Sequence, residues 1–495
     1  MEFSVSTDAP DAVPCDAIAV GVFAGGALQG AAHRLDEALG GVLSASLAEE
    51  KFEAKPGSTA AVHTHGRIAA ARVIVSGLGA QTEFTLDRLR QAAAAAVRRT
   101  GDLHAGRLAL TALAIPPHSS AALTQARVEG TILGAYQFTR YRAPRTGQVE
   151  HVTLLADPPQ RDEVERGLQR GRLFADAAVF ARDLVNEPPN VVNPAYVAAL
   201  VEDIGRSTGL RWTVFDDDAL RAQQMDAILA VGQGSMQPPR LTVLEYIPPN
   251  PRRTIAIVGK GVTFDSGGLS LKTAEGMVTM KSDMAGGAAV LATMRALPAL
   301  APPVRVLGIV PAVENLPSGN ATKPGDIIRA LNGKTIEINN TDAEGRVILA
   351  DALAYAAQQA PDEIIDLATL TGSAVIALGY LAAAVLGNDQ ALIHRLLDAA
   401  ARAGERMWQL PLYDEYLEEM RSDVADLKNS GGRWGGAEKG AAFLREFVDG
   451  RPWAHIDIAP VAFLDTKEGT GPYLQKGATG YGVRTLLTYL GSEGG

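Results

Sequence analysis

Hydrophobic and polar positions alternate along the first third of the chain in a way that predicts strands and helices by turns. Four short apolar runs are typical of strands buried on both faces. They occupy residues 17–23, 72–77, 108–115 and 152–155. Helical spacing of apolar residues follows over 86–99 and 121–141. Strands that alternate with helices in this way predict a small α/β domain.

A periodic charged and apolar pattern over residues 162–184 predicts one long helix. The segment Asn186-Glu187-Pro188-Pro189-Asn190 ends it, because proline cannot continue a helix. Asn193 and Pro194 then suit the N-cap and first position of a new helix. We therefore expect an N-terminal domain over 1–160, a linking helix and turn over 161–190, and a larger domain over 191–495.

The rest of the chain repeats the alternation of strands and helices. Six further strands are predicted, at residues 212–215, 241–246, 254–258, 304–309, 335–338 and 363–367. The predicted fold class is α/β with two domains, the larger having a mixed sheet covered by helices. Ligands in such sheets bind at the carboxyl ends of strands, and the residues after two of these ends are unusual.

Composition narrows the class of protein. The chain has 495 residues, of which 47% are hydrophobic and 21% charged, as in ordinary globular proteins. Its net charge of −10 argues against a broad nucleic-acid-binding surface, although nucleic-acid binding stays open as a second role. The single cysteine, Cys15, cannot form an intramolecular disulfide, and the first twenty residues do not resemble a secretory signal. A cytoplasmic location is the expectation.

One uncharged segment, residues 367–388, is long enough to cross a bilayer. Thr369, Thr371, Gly372 and Gly379 interrupt it, however, and no flanking cluster of Lys and Arg supplies a topology signal. We interpret it as a strand end, a polar loop and an Ala/Leu helix in a buried core near a site, and expect no membrane span.

Two loops after predicted strands carry four carboxylates and three cations. These residues are Asp265, Asp283, Asp342, Glu344, Lys260, Lys272 and Arg346. A single acid on a glycine-rich loop is more often a turn former or a cap, so the combination carries the argument. Asp342 and Glu344 point the same way if the chain is extended, and such neighbours repel unless a cation lies between them. A divalent metal site follows.

The type of metal site is narrowed by what the sequence lacks. There is no His-Glu-x-x-His pattern, and the His63 and His65 pair is more often structural. An oxygen-rich site admits Mn²⁺, Mg²⁺ and Zn²⁺, and four carboxylates suffice for two ions. Two-metal hydrolysis of a phosphate ester stays open as an alternative, although no phosphate-binding loop pattern is present.

Two motifs make the site residues recognisable. The heptapeptide Asn-Thr-Asp-Ala-Glu-Gly-Arg at 340–346 and the segment Gly-Lys-Gly-Val-Thr-Phe-Asp-Ser-Gly-Gly at 259–268 resemble the leucyl aminopeptidase family, the cytosol aminopeptidases. The resemblance covers roughly residues 186–490 and places the catalytic domain at 191–495. It implies two divalent ions, Mn²⁺ or Zn²⁺. One ion would be held by Lys260, Asp265, Asp283 and Glu344, and the other by Asp265, Asp342 and Glu344.

The same resemblance implies how the reaction proceeds. Lys272 would polarise the scissile carbonyl, and Arg346 would hold a bicarbonate that acts as a base toward a metal-bridging water. A free α-amino group would bind a metal, which restricts cleavage to the first residue of short peptides. The residues expected to bind the substrate are Met280, Thr369, Leu370, Gly372, Ala459 and Ala462.

The resemblance also bears on specificity and assembly. Leucine or another apolar residue is the expected first residue of the substrate. Pro460 stands where the family pattern leads us to expect glycine, so a pocket wide enough for methionine or aromatic residues is also expected. Family members assemble as hexamers, two trimers around an interior cavity, and a homohexamer is therefore expected here.

Overall fold

The computed structural model describes residues 1–143 and 147–492, which form two compact units. One unit comprises residues 1–176 and 470–475, and the other 177–469 and 476–495, apart from residues outside the described ranges. Both are α/β, as the sequence predicts. The helix α5 (Arg161–Asn186) contains the division, which falls between Asp176 and Ala177.

The smaller unit has a six-stranded sheet in the order β1-β6-β5-β2-β4-β3. Its strands are β1 (Glu2–Ser6), β2 (Ala17–Val22), β3 (Thr59–His63), β4 (Arg72–Gly77), β5 (Arg107–Leu110) and β6 (His151–Leu155). Only the edge strand β3 is antiparallel to its neighbour. Its helices are α1 (Gly30–Ala38), α2 (Val42–Glu49), α3 (Leu86–Asp102) and α4 (Ser120–Ala135). The edge strands β1 and β3 were not predicted, because half-exposed edges lack a continuous apolar run.

The larger unit is built on a sheet in the order β16-β15-β18-β14-β9-β11-β8-β7, with β10 paired to β11. These strands are β7 (Arg211–Phe215), β8 (Arg240–Tyr246), β9 (Thr254–Gly259), β10 (Gly261–Asp265), β11 (Arg305–Asn315), β14 (Glu363–Ala368), β15 (Ala383–Gly387), β16 (Met407–Gln409) and β18 (Trp453–Asp457). Short strands are β12 (Ile327–Arg329), β13 (Thr335–Glu337), β17 (Leu427–Lys428), β19 (Phe463–Leu464) and β20 (Gly477–Ala478).

Helices cover this sheet and bury its apolar side chains. They are α6 (Pro194–Thr208), α7 (Asp217–Ala222), α8 (Asp226–Gly232), α9 (Ala274–Met277), α10 (Ala285–Leu300), α11 (Glu344–Gln358), α12 (Gly372–Leu378), α13 (Gln390–Ala403), α14 (Glu415–Glu418), α15 (Gly436–Arg445) and α16 (Val483–Gly491). Asn193 caps α6 as predicted, its side chain accepting the Tyr196 N–H. The apolar segment 367–388 contains α12 and also the unpredicted strand β15.

Two features of this unit position the site. Strands β10, β11, β9, β14 and β18 are all parallel, so their carboxyl ends meet at one edge of the sheet. A short 3₁₀ helix, Met280–Met284, follows β10 and leads into α10. Within the described ranges 1–143 and 147–492, we find no helix with the length and apolar character that crossing a membrane requires.

Candidate metal centre

The candidate centre lies at the carboxyl edge of the parallel strands. Lys260 directly follows β9, Asp265 ends β10, and Asp283 lies in the 3₁₀ helix that follows. Asp342 lies in the turn before α11, and Glu344 is the first residue of that helix. The structure therefore brings together all five residues that the sequence predicted as metal ligands.

Two lysines lie between pairs of carboxylates. The Lys260 Nζ is 2.8 Å from Asp283 Oδ1 and 2.8 Å from Glu344 Oε1. Lys272 Nζ is 2.8 Å from Asp265 Oδ2 and also ion-pairs with Asp342. Gly345 leaves room for Lys260 between Asp283 and Glu344, because a Cβ at position 345 would lie 2.6 Å from Lys260 Nζ. Each lysine thus offsets the repulsion within one pair of acids.

Burial and neighbouring charges shift the pKa values in the centre. Burial alone would lower the pKa of Lys260, but Asp283 and Glu344 more than offset it and raise this pKa. Burial, and then the Glu344 charge, raises the pKa of Asp265 to about 6. Burial also raises the pKa of Asp283 well above its usual value. Burial alone would raise the pKa of Glu344, but the neighbouring Lys260 outweighs this effect and holds the pKa below its usual range.

The donor set fits divalent metal ions. One carboxylate oxygen from each of Asp265, Asp342 and Glu344 lies within 4.8 Å of the others. Within the described ranges, Asp283 Oδ2 and Glu344 Oε2 are buried and accept no hydrogen bond. Buried anionic oxygens without a donor are costly, and a cation bound to them removes that cost. Oxygen ligands of this kind suit hard or borderline ions such as Mn²⁺.

Arg346 lies on the first turn of α11, close to the acids. It is buried, and its Nε has no hydrogen-bond partner among the residues that the structure describes. Burial lowers its pKa, while Glu344 and Asp457 act against that effect. A buried guanidinium with an unused N–H can bind an anion or a polar group.

The loop after β14 lies against these acids. The Thr369 hydroxyl donates to Asp283 Oδ1 at 2.7 Å, and the Thr369 carbonyl accepts from Lys260 at 3.0 Å. Leu370 N and Ala459 N both donate to Asp457 Oδ1, at 3.1 and 3.2 Å. Three of the predicted substrate-binding residues are therefore linked by hydrogen bonds to Asp283 or Asp457.

The other predicted substrate-binding residues are placed nearby without such links. Half-buried Met280 begins the 3₁₀ helix that contains Asp283. Gly372 is exposed and begins α12. Ala462 is buried and donates its N–H to the Ile458 carbonyl.

Two buried residues that support the centre were not singled out from the sequence. Asn315 ends β11, and its Nδ2 donates to Asp265 Oδ1 at 2.8 Å and to the Thr341 carbonyl at 2.9 Å. Asp457 ends β18 and also accepts the Thr371 hydroxyl at 2.7 Å. The available signal was a polar residue at the carboxyl end of an apolar run, which is typical of a site in such sheets.

Comparison with known proteins identifies the family. Residues 179–487 match the catalytic domain of the cytosol aminopeptidase family, and residues 19–145 match its N-terminal domain. Probable cytosol aminopeptidases of Geobacter sp. (strain M21) and Geobacter sulfurreducens are each 44% identical to this chain. The alignment covers 99% of this chain and of the first, and 98% of this chain and 99% of the second.

Solved structures agree with these matches. The bottromycin maturation enzyme BotP in complex with Mn is 39% identical, with a TM-score of 0.87 over 97% of this chain and 100% of that one. A mutant of tomato leucine aminopeptidase is 33% identical, with a TM-score of 0.89 over 99% of this chain and 96% of that one. With its acidic cluster suited to metal ions, the chain belongs to the cytosol aminopeptidase family and is a metal-dependent aminopeptidase.

Proposed function

We propose that this enzyme removes the N-terminal residue from short peptides, with leucine or another apolar residue preferred at that position. The observation that carries the proposal is the group of acids with unused oxygen atoms at the carboxyl edge of the sheet. Five side chains would hold two divalent ions, Mn²⁺ or Zn²⁺. They are Lys260, Asp265, Asp283, Asp342 and Glu344.

The presence of Mn in the related BotP structure supports manganese in particular. When bound, such ions supply Lewis acidity and lower the pKa of water. Lys260 can be a ligand only as a free amine, so its ammonium group must lose a proton when the metal binds. Without the metal, the ion pairs with Asp283 and Glu344 stabilise the protonated form. Glu344 and Asp265 would be ligands of both ions.

Lys272 and Arg346 would be the catalytic residues. Lys272 is only partly buried, and its ammonium, next to Asp265, would donate a hydrogen bond to the scissile carbonyl as negative charge develops on its oxygen. The free Nε of Arg346 would hold a bicarbonate that acts as the general base. Among the described residues of the centre, the carboxylates would all be taken up as metal ligands, so a bound bicarbonate would supply the base.

Substrate selection would depend on the loop after β14 and on residues near β18. We assign substrate contacts to Met280, Thr369, Leu370, Gly372, Ala459 and Ala462. A free α-amino group, bound to a metal as the neutral amine, would select unblocked peptides, because an N-acetylated terminus has no such lone pair. Pro460, in place of the expected glycine, would alter the first-residue pocket, so methionine and aromatic residues should also be tested.

We further propose that the enzyme is a cytoplasmic homohexamer whose domains span residues 1–160, 161–190 and 191–495. Light scattering of the purified protein would test the assembly, with six times the chain mass of 51.9 kDa as the expected result. A monomer at enzyme-assay concentrations would contradict it.

The test of the activity is hydrolysis of aminoacyl-p-nitroanilides by metal-stripped enzyme to which Mn²⁺ or Zn²⁺ is returned. We expect metal-restored cleavage of unblocked substrates and none of their N-acetylated counterparts. The variant Glu344→Gln should lose this activity. If the folded wild-type enzyme cleaves no unblocked substrate with either metal, or cleaves blocked ones equally well, the proposed function is wrong.

A further inference from the structure

The smaller unit contains a cavity at the carboxyl ends of three neighbouring parallel strands. Its lining includes residues of β2, β4 and β5, residues just after β4 and β5, and side chains of α3. Its volume is about 30 Å³, and its walls are mainly apolar. That is room for one or two water molecules or for one small ion.

One cationic side chain, Arg127 of α4, lines this cavity. The residue is only 4% exposed, and Nη1 donates to the Thr111 carbonyl. Among the described residues no carboxylate ion-pairs with Arg127, and its Nε has no acceptor. The nearby Glu129 is already paired with Arg90, whose Nε lies 2.6 Å from Glu129 Oε2.

A buried guanidinium without a counter-ion is unfavourable. Burial lowers the pKa of Arg127 to about 10, so the side chain still carries its charge at neutral pH. Charges are rarely buried in proteins unless an opposite charge or several hydrogen bonds compensate them. A single carbonyl oxygen is a weak partner for a group with five N–H donors.

A second donor faces the same cavity. Ser76, near the end of β4, is 3% exposed, and its hydroxyl has no partner among the described residues. The neighbouring Thr111 differs, because its hydroxyl donates to the Ala19 carbonyl at 3.2 Å. The cavity thus combines a cation, an unused hydroxyl and apolar walls.

We propose that this cavity binds a small monoanion, such as a halide, between the Arg127 guanidinium and the Ser76 hydroxyl. The small volume favours a small ion over a large organic anion. The charge and the two donors favour an anion over water alone. None of its lining residues belongs to the metal centre, because they are part of the smaller unit and the five candidate metal ligands are part of the larger one.

The test uses the full-length protein in sodium gluconate, in which chloride or bromide replaces gluconate at constant ionic strength. Gluconate is much larger than the space inside the cavity, so it serves as the reference anion. Constant ionic strength keeps general screening by salt the same in all samples. We expect halide to raise the unfolding midpoint by a saturable 2–4 °C or so. The shift should vanish in Arg127→Met and persist in Arg34→Met, a control at an exposed position. In Ser76→Ala the same shift should require about fivefold more halide.

Diffraction from bromide-soaked wild-type crystals gives a second readout that does not depend on a variant folding. An anomalous bromide peak within hydrogen-bond distance of Arg127 would support the proposal. Water only in the cavity at saturating bromide would overturn it. A midpoint shift of equal size in wild type and a folded Arg127→Met protein would also overturn it.

Discussion

Two groups of buried or half-buried carboxylates in the larger unit differ in how their oxygens are satisfied. The site acids are Asp265, Asp283, Asp342 and Glu344, which depend mainly on Lys260 and Lys272. The framework acids are Asp351, Asp366 and Glu405, whose oxygens all have donors or a cationic partner. Asp283 and Glu344 each keep an oxygen without a donor.

This difference separates acids that stabilise the fold from acids that we propose as metal ligands. A framework acid gains hydrogen bonds that offset part of the cost of burying it. A site acid stays partly unsatisfied, which costs stability but leaves lone pairs for a metal ion. Stability is commonly sacrificed at active sites in this way. Substitution of a site acid should therefore lower activity with little loss of stability. Substitution of a framework acid should lower stability with little loss of activity.

We expect the largest loss of activity in the variant Asp283→Asn. An asparagine oxygen can still accept from Lys260 and Thr369, as Oδ1 does now, so the local hydrogen bonds are retained. The charge and the unused oxygen are lost, and we expect kcat/KM to fall about 10³-fold or more. The unfolding midpoint should change by no more than about 2 °C.

Peptide hydrolysis, metal content and thermal unfolding would be measured on the same preparations of Asp283→Asn. The matched control is Asp423→Asn, at an exposed position. Loss of folding together with activity in Asp283→Asn would place Asp283 with the framework acids and break the comparison.

Lys272→Met should have the next largest effect. The side chain loses the charge that is proposed to stabilise the developing oxyanion, so kcat should fall about 10²- to 10³-fold with KM nearly unchanged. Steady-state kinetics with unblocked aminoacyl-p-nitroanilides would measure both constants, with the exposed-site variant Lys323→Met as the control. A rise in KM alone would show that Lys272 only binds substrate.

Asp457→Asn tests an acid that shares features of both groups. Its carboxylate accepts from Leu370, Thr371 and Ala459, so we expect it to position the loop rather than to touch the reacting atoms. Asparagine can replace only one of the two acceptor oxygens. We expect KM to rise about tenfold while kcat changes less than about threefold. A fall in kcat at constant KM would contradict a positioning role.

The smallest effect on activity is expected from the framework acid Asp351. Its two oxygens accept the N–H groups of Ile228 and Leu331, at 3.0 and 2.8 Å. Asp351→Asn leaves one N–H without an acceptor, so the free energy of unfolding should fall by about 1–3 kcal/mol. Activity per folded molecule should stay within about twofold. Denaturant titration and hydrolysis assays would check both.

Burial gives this comparison a pH dependence, because it raises the pKa of Asp351 to about 7 in the folded protein. A raised carboxyl pKa stabilises the fold below the unfolded-state value, and this contribution is lost as pH rises toward 7. The stability difference between wild type and Asp351→Asn should therefore be larger at pH 5 than at pH 8. A difference that grows with pH would show that the ionised carboxylate is the favoured form.

Much of the fold was predictable because local periodicity reports burial. The apolar run at 72–77 coincides with β4, and the pattern at 162–184 falls within α5. The strand β15 was missed, because a short run rich in alanine and leucine does not distinguish a strand from a helix. The edge strand β1 was missed for lack of a continuous apolar run.

The sequence by itself determined which residue types the site contains, because the motifs at 259–268 and 340–346 are contiguous stretches of chain. Only the tertiary structure decided which acids share a lysine, as Lys260 joins Asp283 and Glu344 across long separations in the chain. It also decided that Asn315 and Asp457 support the site. The physical reason is that the order of parallel strands, which local periodicity does not encode, sets which strand ends become neighbours.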